Sequence, residues 1–233
     1  HTASDMSIIG GGKNPIPGEI TLAHNGVLFL DEFTEFRNSI IQSLRQPMET
    51  GTITVARADM RITYPALFML VASMNPCPCG YFFDSDKPCR CSPSQLSRYY
   101  AKLSGPVLDR IDIQLDVPEV KFADIVSRTP AEGSAAIRAR VTRARERQAV
   151  RFEGRKVFAN AQMGPKDVKQ FCPLPAEAER LLEMAVTKLG FSARAFDRVL
   201  KVARTIADLE AAEAIETPHV SEAIQYRMMD RLR

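Results

Sequence analysis

The sequence predicts an α/β unit followed by a small helical bundle, and three observations carry that expectation. Two short apolar runs, "VLFL" at Val27 to Leu30 and "LFMLVASMN" at Leu67 to Asn75, read as strands buried on both faces, as in a parallel sheet. Between them "TITVARADMRITY" (Thr52 to Tyr64) is β-rich with a polar middle, a hairpin turning around Arg57 to Met60. Beyond residue 134 only helical spacing recurs. With 233 residues, 45% of them hydrophobic, the chain can bury the core of one or two domains.

The elements follow in order. Residues 1 to 19 are rich in Gly and Pro and read as loop. After the first strand, Phe36, Ile40, Leu44 and Met48 recur every four residues, one apolar face of a helix ending near Gly51. The second apolar strand leads into a run containing Cys77, Cys79, Cys89 and Cys91. Ser92 can cap the next helix, with Pro93 in its first turn and Gly105 at its exit. "IDIQLDV" (Ile111 to Val117) alternates apolar and acidic residues, the pattern of a strand with one wetter face. Residues 127 to 134, "SRTPAEGS", are the best linker. Helices are expected over about 135–151, 175–189, 192–210 and 218–231, with Ser192 and Thr217 as caps and a further turn near 165–171.

Composition removes several classes. No apolar stretch approaches the roughly 20 residues of a membrane span, and no secretory signal is visible in a chain that opens "HTASD" without an initiator Met. A net charge of +3 does not by itself require a polyanionic partner. Four of the five cysteines fall within fifteen residues, and without export signals such a cluster reads as metal binding before disulfides, in a cytoplasmic protein. C-x-C, nine residues, C-x-C brings two thiolate pairs together as four tetrahedral sulfur ligands for Zn²⁺, with no position left for water, so the site is read as structural. Cys172 reads as an ordinary buried thiol and His24 as structural.

The first strand ends in Asp31 and Glu32. Buried strands do not tolerate unpaired carboxylates, so the acids mark its carboxyl end, where open α/β sheets bind ligands. This is a Walker B arrangement, one acid on Mg²⁺ and one on the attacking water. Its glycine-rich partner is missing. "SIIGGGKNP" (Ser7 to Pro15) has Ser7 where G-x-x-x-x-G-K-[ST] needs glycine, and Asn14 where it needs a hydroxyl.

Later motifs supply context. "GEITLAHNGVLFLDEF", "LRQPMETGTITVARA", "NPCPCGY", "LSGPVLDRIDI" and "SARAFDRVLKVARTIADLE" together resemble the magnesium-chelatase-like AAA+ ATPases of the ComM/YifB type, over essentially the whole chain. The resemblance implies a partial AAA+ core with parallel strands and a hairpin insertion over 1–130, and an all-α lid over 131–233. It also implies that the phosphate loop lies upstream, on a strand neighbouring Ile111 to Val117, so that this chain alone exposes sheet edges and apolar surface.

Residue roles follow from the same match. Asp31 coordinates the Mg²⁺ of ATP, Glu32 orients water, Asn75 is sensor 1, and Arg110 is the finger reaching a neighbouring subunit of a ring, read as a hexamer. For Arg110 a salt bridge to Asp109 or Asp112 is the alternative. Arg194 matches sensor 2, with Arg198 as its rival. Arg57 and Arg61 flank the hairpin tip, which in the resembled family points into the central channel, where cations can meet DNA phosphates. "IRARVTRARERQAVR" carries six arginines on more than one face, for DNA or for a neighbour's acidic surface. The function implied is a ring-forming motor on DNA. Chelatase subunits proper differ in having an "NPEEG"-type segment where "NPCPCG" stands here, and a non-catalytic interaction fragment is the third reading.

Overall fold

The computed structural model describes residues 2–12, 15–57, 60–84, 86–103, 105–120, 126 and 131–227, with backbone alone at 57 and 105. They divide into two compact units, His1–Ile111 and Asp112–Arg233.

The first unit opens with structure where loop was expected. Ser4 accepts a hydrogen bond from the Ser7 amide and starts α1 (Asp5–Ile9), followed by β1 (Gly10–Gly11), β2 (Ile16–Pro17) and α2 (Glu19–Leu22). The first glycine of the phosphate-loop mimic serves this hairpin. A Cβ on Gly10, which has φ 98, would lie 2.5 Å from the Ile16 oxygen and 2.9 Å from the Gly18 nitrogen. Backbone meets backbone there, and only glycine fits. Lys13 and Asn14 of that mimic lie outside the described residues.

Next come β3 (Val27–Leu30), α3 (Asn38–Ser43), α4 (Arg45–Thr50), the hairpin strands β4 (Thr52–Arg57) and β5 (Met60–Pro65), and β6 (Met69–Ala72). The single helix expected to end near Gly51 is divided at Leu44. Pro47 has no N–H for the Ser43 carbonyl, and its ring crowds that carbonyl. Phe36, Ile40 and Leu44 are buried, and Gly51 closes α4 with φ 67, its N–H on the Pro47 carbonyl. β4 and β5 pair antiparallel from Thr52↔Pro65 to Arg57↔Met60, and residues 58 and 59 between them lie outside the described residues.

β3 and β6 pair in parallel, Val27↔Met69 through Leu30↔Ala72. Leu28 and Leu30 are buried, but Val27, Phe29, Met69 and Val71 are 42–64% exposed. The expectation of strands buried on both faces therefore holds for one face: among the described residues no layer covers the other. α5 (Pro93–Ala101) begins at Ser92 with a reciprocal capping box. Gln95 N–H donates to Ser92 Oγ at 3.3 Å, and Ser92 N–H to Gln95 Oε1 at 2.8 Å. α6 (Gly105–Leu108) ends this unit.

Where the second unit begins, Ile111 to Val117 forms no strand, contrary to the alternation in its sequence. Its Ile113, Leu115 and Val117 are 49–84% exposed, and the Gln114 amide bonds the Tyr226 carbonyl at 2.8 Å. An alternating segment needs a neighbouring strand to become one, and the described residues offer none. Residues 127–130 of the linker are outside the described set. The helices are α7 (Ser134–Arg151), α8 (Pro165–Phe171), α9 (Ala176–Leu189), α10 (Ala193–Leu209) and α11 (Thr217–Gln225). Ser192 caps α10 as expected, accepting from the Ala195 amide at 3.2 Å. Thr217 does not cap α11. Glu216 holds that position, its N–H on His219 Nδ1 at 2.9 Å. No described helix is long and apolar enough to cross a membrane.

α10 lies at the centre of this unit, burying Val199, Leu200, Ala203, Ile206 and Ala207 against Phe152, Leu182, Ile215 and Val220. A charged knot sits in the same core. Asp208, fully buried, accepts from Arg151 at 2.7 Å and Asn160 at 2.8 Å, with Arg204 at 3.1 Å. Burial alone would raise its carboxyl, but the bonds from Arg151 and Asn160 and both guanidinium charges hold it below the ordinary value. A depressed pKa adds stability that is present above the ordinary carboxylate range and lost as pH falls through the folded value. Asp208→Ala leaves Arg204 and Arg151 facing no carboxylate, so we expect a loss of about 3–5 kcal/mol at neutral pH. The difference from the parent shrinks in acid, read by urea unfolding at two pH values.

Candidate nucleotide site and metal centre

The acid pair lies where the strand order places it. β3 ends at Leu30 opposite Ala72, so Asp31 falls opposite Ser73 at the carboxyl ends of two parallel strands. The Ser73 hydroxyl donates to Asp31 Oδ1, and the Glu32 amide reaches Asp31 Oδ1 at 3.1 Å and Ser73 Oγ at 3.4 Å. The ladder extends one step further, Ser73 N–H to Leu30 O at 3.1 Å and Phe33 N–H to Ser73 O at 2.8 Å. Asn75, two residues on, is exposed, as are both acids. The structure thus brings Asp31, Glu32 and Asn75 to one end of the same two strands.

Glu32 has φ 51 and ψ 49, a left-handed conformation that costs a non-glycine residue about 1–2 kcal/mol. Strain of this kind persists where surrounding structure imposes it, and it collects at functional positions. Here it turns the chain sharply after Asp31, leaving two carboxylates exposed with a hydroxyl and an amide nearby. Such a set can hold a hydrated divalent cation and accept a proton from water. Ser73 was not anticipated. Its signal was register: a hydroxyl directly opposite the first acid once the strands are paired.

Arg110 is placed differently from expectation. Its side chain is 5% exposed, ion-paired with Glu49 of α4, and Nη1 donates to the Pro106 carbonyl. Of the two acids the sequence offered, Asp112 pairs with Arg198. The guanidinium therefore faces its own unit here and is not presented outward to a neighbouring subunit. Arg198 is committed to Asp112, while Arg194 stands exposed in the first turn of α10.

The four cysteines do converge. All four sulfurs lie within 4.8 Å of one another, with Cys77–Cys79 at 3.4 Å, Cys79–Cys89 at 3.6 Å and Cys77–Cys89 at 3.7 Å. Tetrahedral zinc with Zn–S bonds of about 2.3 Å sets its sulfurs about 3.8 Å apart, so the residues present fit a Cys₄ ion with no open position. The amides of Tyr81 and Arg90 donate toward Cys79 and bring its thiol down to about 6, whereas burial and the neighbouring thiols push Cys91 up to about 12. Phe82 packs edge-on against Tyr100 of α5. Cys172 is buried apart from this cluster, its thiol pushed up to about 11 by burial. His24 Nδ1 accepts the Leu67 amide at 3.1 Å, a structural link between the starts of the two strands.

The basic features divide. Arg61 is exposed on β5, and the side chain of Arg57 lies outside the described residues. Of the six arginines on α7, Arg151 and Arg147 turn inward to Asp208 and the Ala212 carbonyl, and Arg140 pairs with Glu132. Arg145 reaches Gln148 at 3.3 Å, and Arg138 and Arg143 stay exposed. Four of the six arginines thus find a partner within the unit.

Comparison with known proteins gives two family matches. Residues 1–125 match the model of the magnesium chelatase subunit ChlI, and residues 131–227 match the carboxyl-terminal model of the same subunit. The whole chain is 47% identical to YifB of Escherichia coli and 45% identical to the competence protein ComM of Haemophilus influenzae, covering 45% of each. Over 92% of its length it is 22% identical to the zygotic DNA replication licensing factor mcm6-A of Xenopus laevis, covering 25% of that protein. The chain therefore spans about half the length of the curated bacterial relatives it matches.

Proposed function

This chain belongs to the magnesium chelatase ChlI family, in the group of YifB and ComM, and from that premise we propose that it is part of an ATP-hydrolysing AAA+ motor that acts on DNA. The observation that carries the reading is the acid pair at the end of β3, tied through Ser73 to the end of the adjacent parallel strand, with Asn75 beside it.

In this reading Asp31 would hold Mg²⁺, which with nucleotide would supply charge neutralisation at the phosphate oxygens. The Glu32 carboxylate takes the proton of the attacking water, and Ser73 holds Asp31 so that its free oxygen faces the ligand. The Asn75 amide orients that water, and Arg194, in the first turn of the 17-residue α10 of the helical unit, is the sensor 2 residue. The inward pairing of Arg110 with Glu49 gives it a structural role in the single chain. A finger role in a six-membered ring requires it to leave that pair. The exposed apolar side chains of β3 and β6 fit a sheet completed by the remainder of a longer protein.

The DNA substrate is supported by the exposed Arg61 on the hairpin and by the likeness to a DNA replication licensing factor and a competence protein. The four-cysteine loop directly after Asn75 favours this over a porphyrin chelatase, because it replaces an acidic segment with a closed metal site. The test uses the full-length protein, assayed for ATP hydrolysis with and without forked or four-way DNA. Stimulation by DNA, with retention on DNA at moderate salt, is the expected result. Neither stimulation nor retention would overturn the DNA reading.

A further inference from the structure

The backbone ladder between β3 and β6 ends at Phe33 and Ser73, and past that point the two chains separate. One leads into the turn Phe33–Glu35, the other through Asn75 and Pro76 to Cys77. Helix α5 spans the gap. The Tyr99 hydroxyl donates to the Asn75 carbonyl at 2.6 Å and accepts from Thr34 Oγ1 at 2.8 Å. The Tyr100 hydroxyl donates to the next carbonyl, Pro76, at 2.6 Å, and Lys102 Nζ donates to the Thr34 carbonyl at 2.6 Å.

The donor order leaves no freedom. A carbonyl only accepts, so the single phenolic proton of Tyr99 belongs to Asn75, and Thr34 must supply the proton in the other bond. Thr34 is 2% exposed and Tyr99 7% exposed, so water does not replace either partner readily. Burial, ahead of smaller effects, pushes the Tyr99 phenol up, so it keeps its proton at neutral pH. The Tyr99 ring also meets Tyr100 edge-on at 5.7 Å.

Thr34 lies two residues after Glu32, and the Asn75 carbonyl belongs to the exposed residue two positions past Ser73. We propose that Tyr99 is a positioning residue for hydrolysis, setting the separation between the acid turn and Asn75, with Lys102 and Tyr100 as flanking ties. This inference rests on the reading of Asp31, Glu32 and Asn75 given above. Displacing a catalytic group by about 1 Å costs on the order of 100-fold in rate, so one phenolic bond at this position has a large lever.

The test uses the full-length protein. Tyr99→Phe keeps the ring and removes only the hydroxyl. The expected result is a kcat for ATP hydrolysis lowered about 10- to 100-fold, with the Kd for a fluorescent ADP analogue within about twofold of the parent. Faster amide exchange in peptides covering 33–36 and 73–77 accompanies it. Thr34→Val, which removes the hydroxyl at the other end of the chain of bonds, moves kcat in the same direction, and Thr34→Ser restores it. A parent that hydrolyses ATP while Tyr99→Phe and Thr34→Val match it in kcat overturns this inference alone. A parent with no hydrolysis under any condition overturns the reading of the acid pair, and this inference with it.

Discussion

Glu32→Gln in the full-length protein is expected to lower ATP turnover by about 10²- to 10⁴-fold, the range that removal of a general base produces. Affinity for Mg²⁺-nucleotide is expected to stay within a few-fold of the parent. The amide has nearly the shape of the carboxylate, and the turn it occupies is held by backbone bonds, Phe33 N–H to Ser73 O and Glu35 N–H to Glu32 O. What is lost is the group that takes the proton. Asp31→Asn separates from it in the opposite sense, weakening the Mg²⁺ dependence of binding itself, because in the proposed reading the first acid would face the cation. The strained backbone adds a second readout. Glu32→Gly relieves a left-handed conformation worth about 1–2 kcal/mol but adds about 0.5–1 kcal/mol of chain entropy. Its stability is therefore expected within about 1 kcal/mol of the parent while hydrolysis is lost. Steady-state kinetics, nucleotide titration and urea unfolding on the three variants check the set. A Glu32→Gln protein that turns over ATP like the parent would remove Glu32 from the reaction.

Loss of the proposed zinc is expected to destabilise the first unit. Cys77 is buried and follows directly on Asn75 and Pro76, so the ion would anchor the same segment that α5 holds. Cys77→Ser deprives a closed tetrahedral site of a thiolate and leaves three sulfurs crowded without the charge that balances them. The expected outcome is metal content, measured by atomic absorption, falling from one zinc per chain to well below half. A loss of about 3 kcal/mol in the first unit accompanies it, read as a midpoint lowered on the order of 10 °C. Chelation of the parent reproduces both changes. A parent that binds no zinc, and a Cys77→Ser variant that melts like it, would make the cluster four reduced thiols.

Much of this molecule was legible where one residue type at one spacing has few alternatives. The break from Leu30 to Asp31, the Ser92 and Ser192 caps and the paired C-x-C runs all behaved as their chemistry requires. What sequence concealed were relations between residues far apart. Ser73 faces Asp31 across 42 positions, Glu49 takes Arg110 across 61, and Tyr99 reaches Thr34 across 65. No local pattern announces any of the three. The alternation of Ile111 to Val117 was real, but a strand is made by its neighbour. Leu44 misled for the opposite reason: its helical spacing continued through a point where Pro47 had already removed the ladder's donor.

The central claim is that a magnesium nucleotide reacts at the carboxyl ends of β3 and β6. Crystals of the full-length protein grown with Mn²⁺ and a non-hydrolysable ATP analogue test it through the anomalous signal of manganese. The account predicts a manganese peak beside the Asp31 carboxylate, with the terminal phosphate facing Asn75 and Glu32. A nucleotide-bound manganese seated elsewhere, with Asp31 touching neither metal nor its waters, would contradict it.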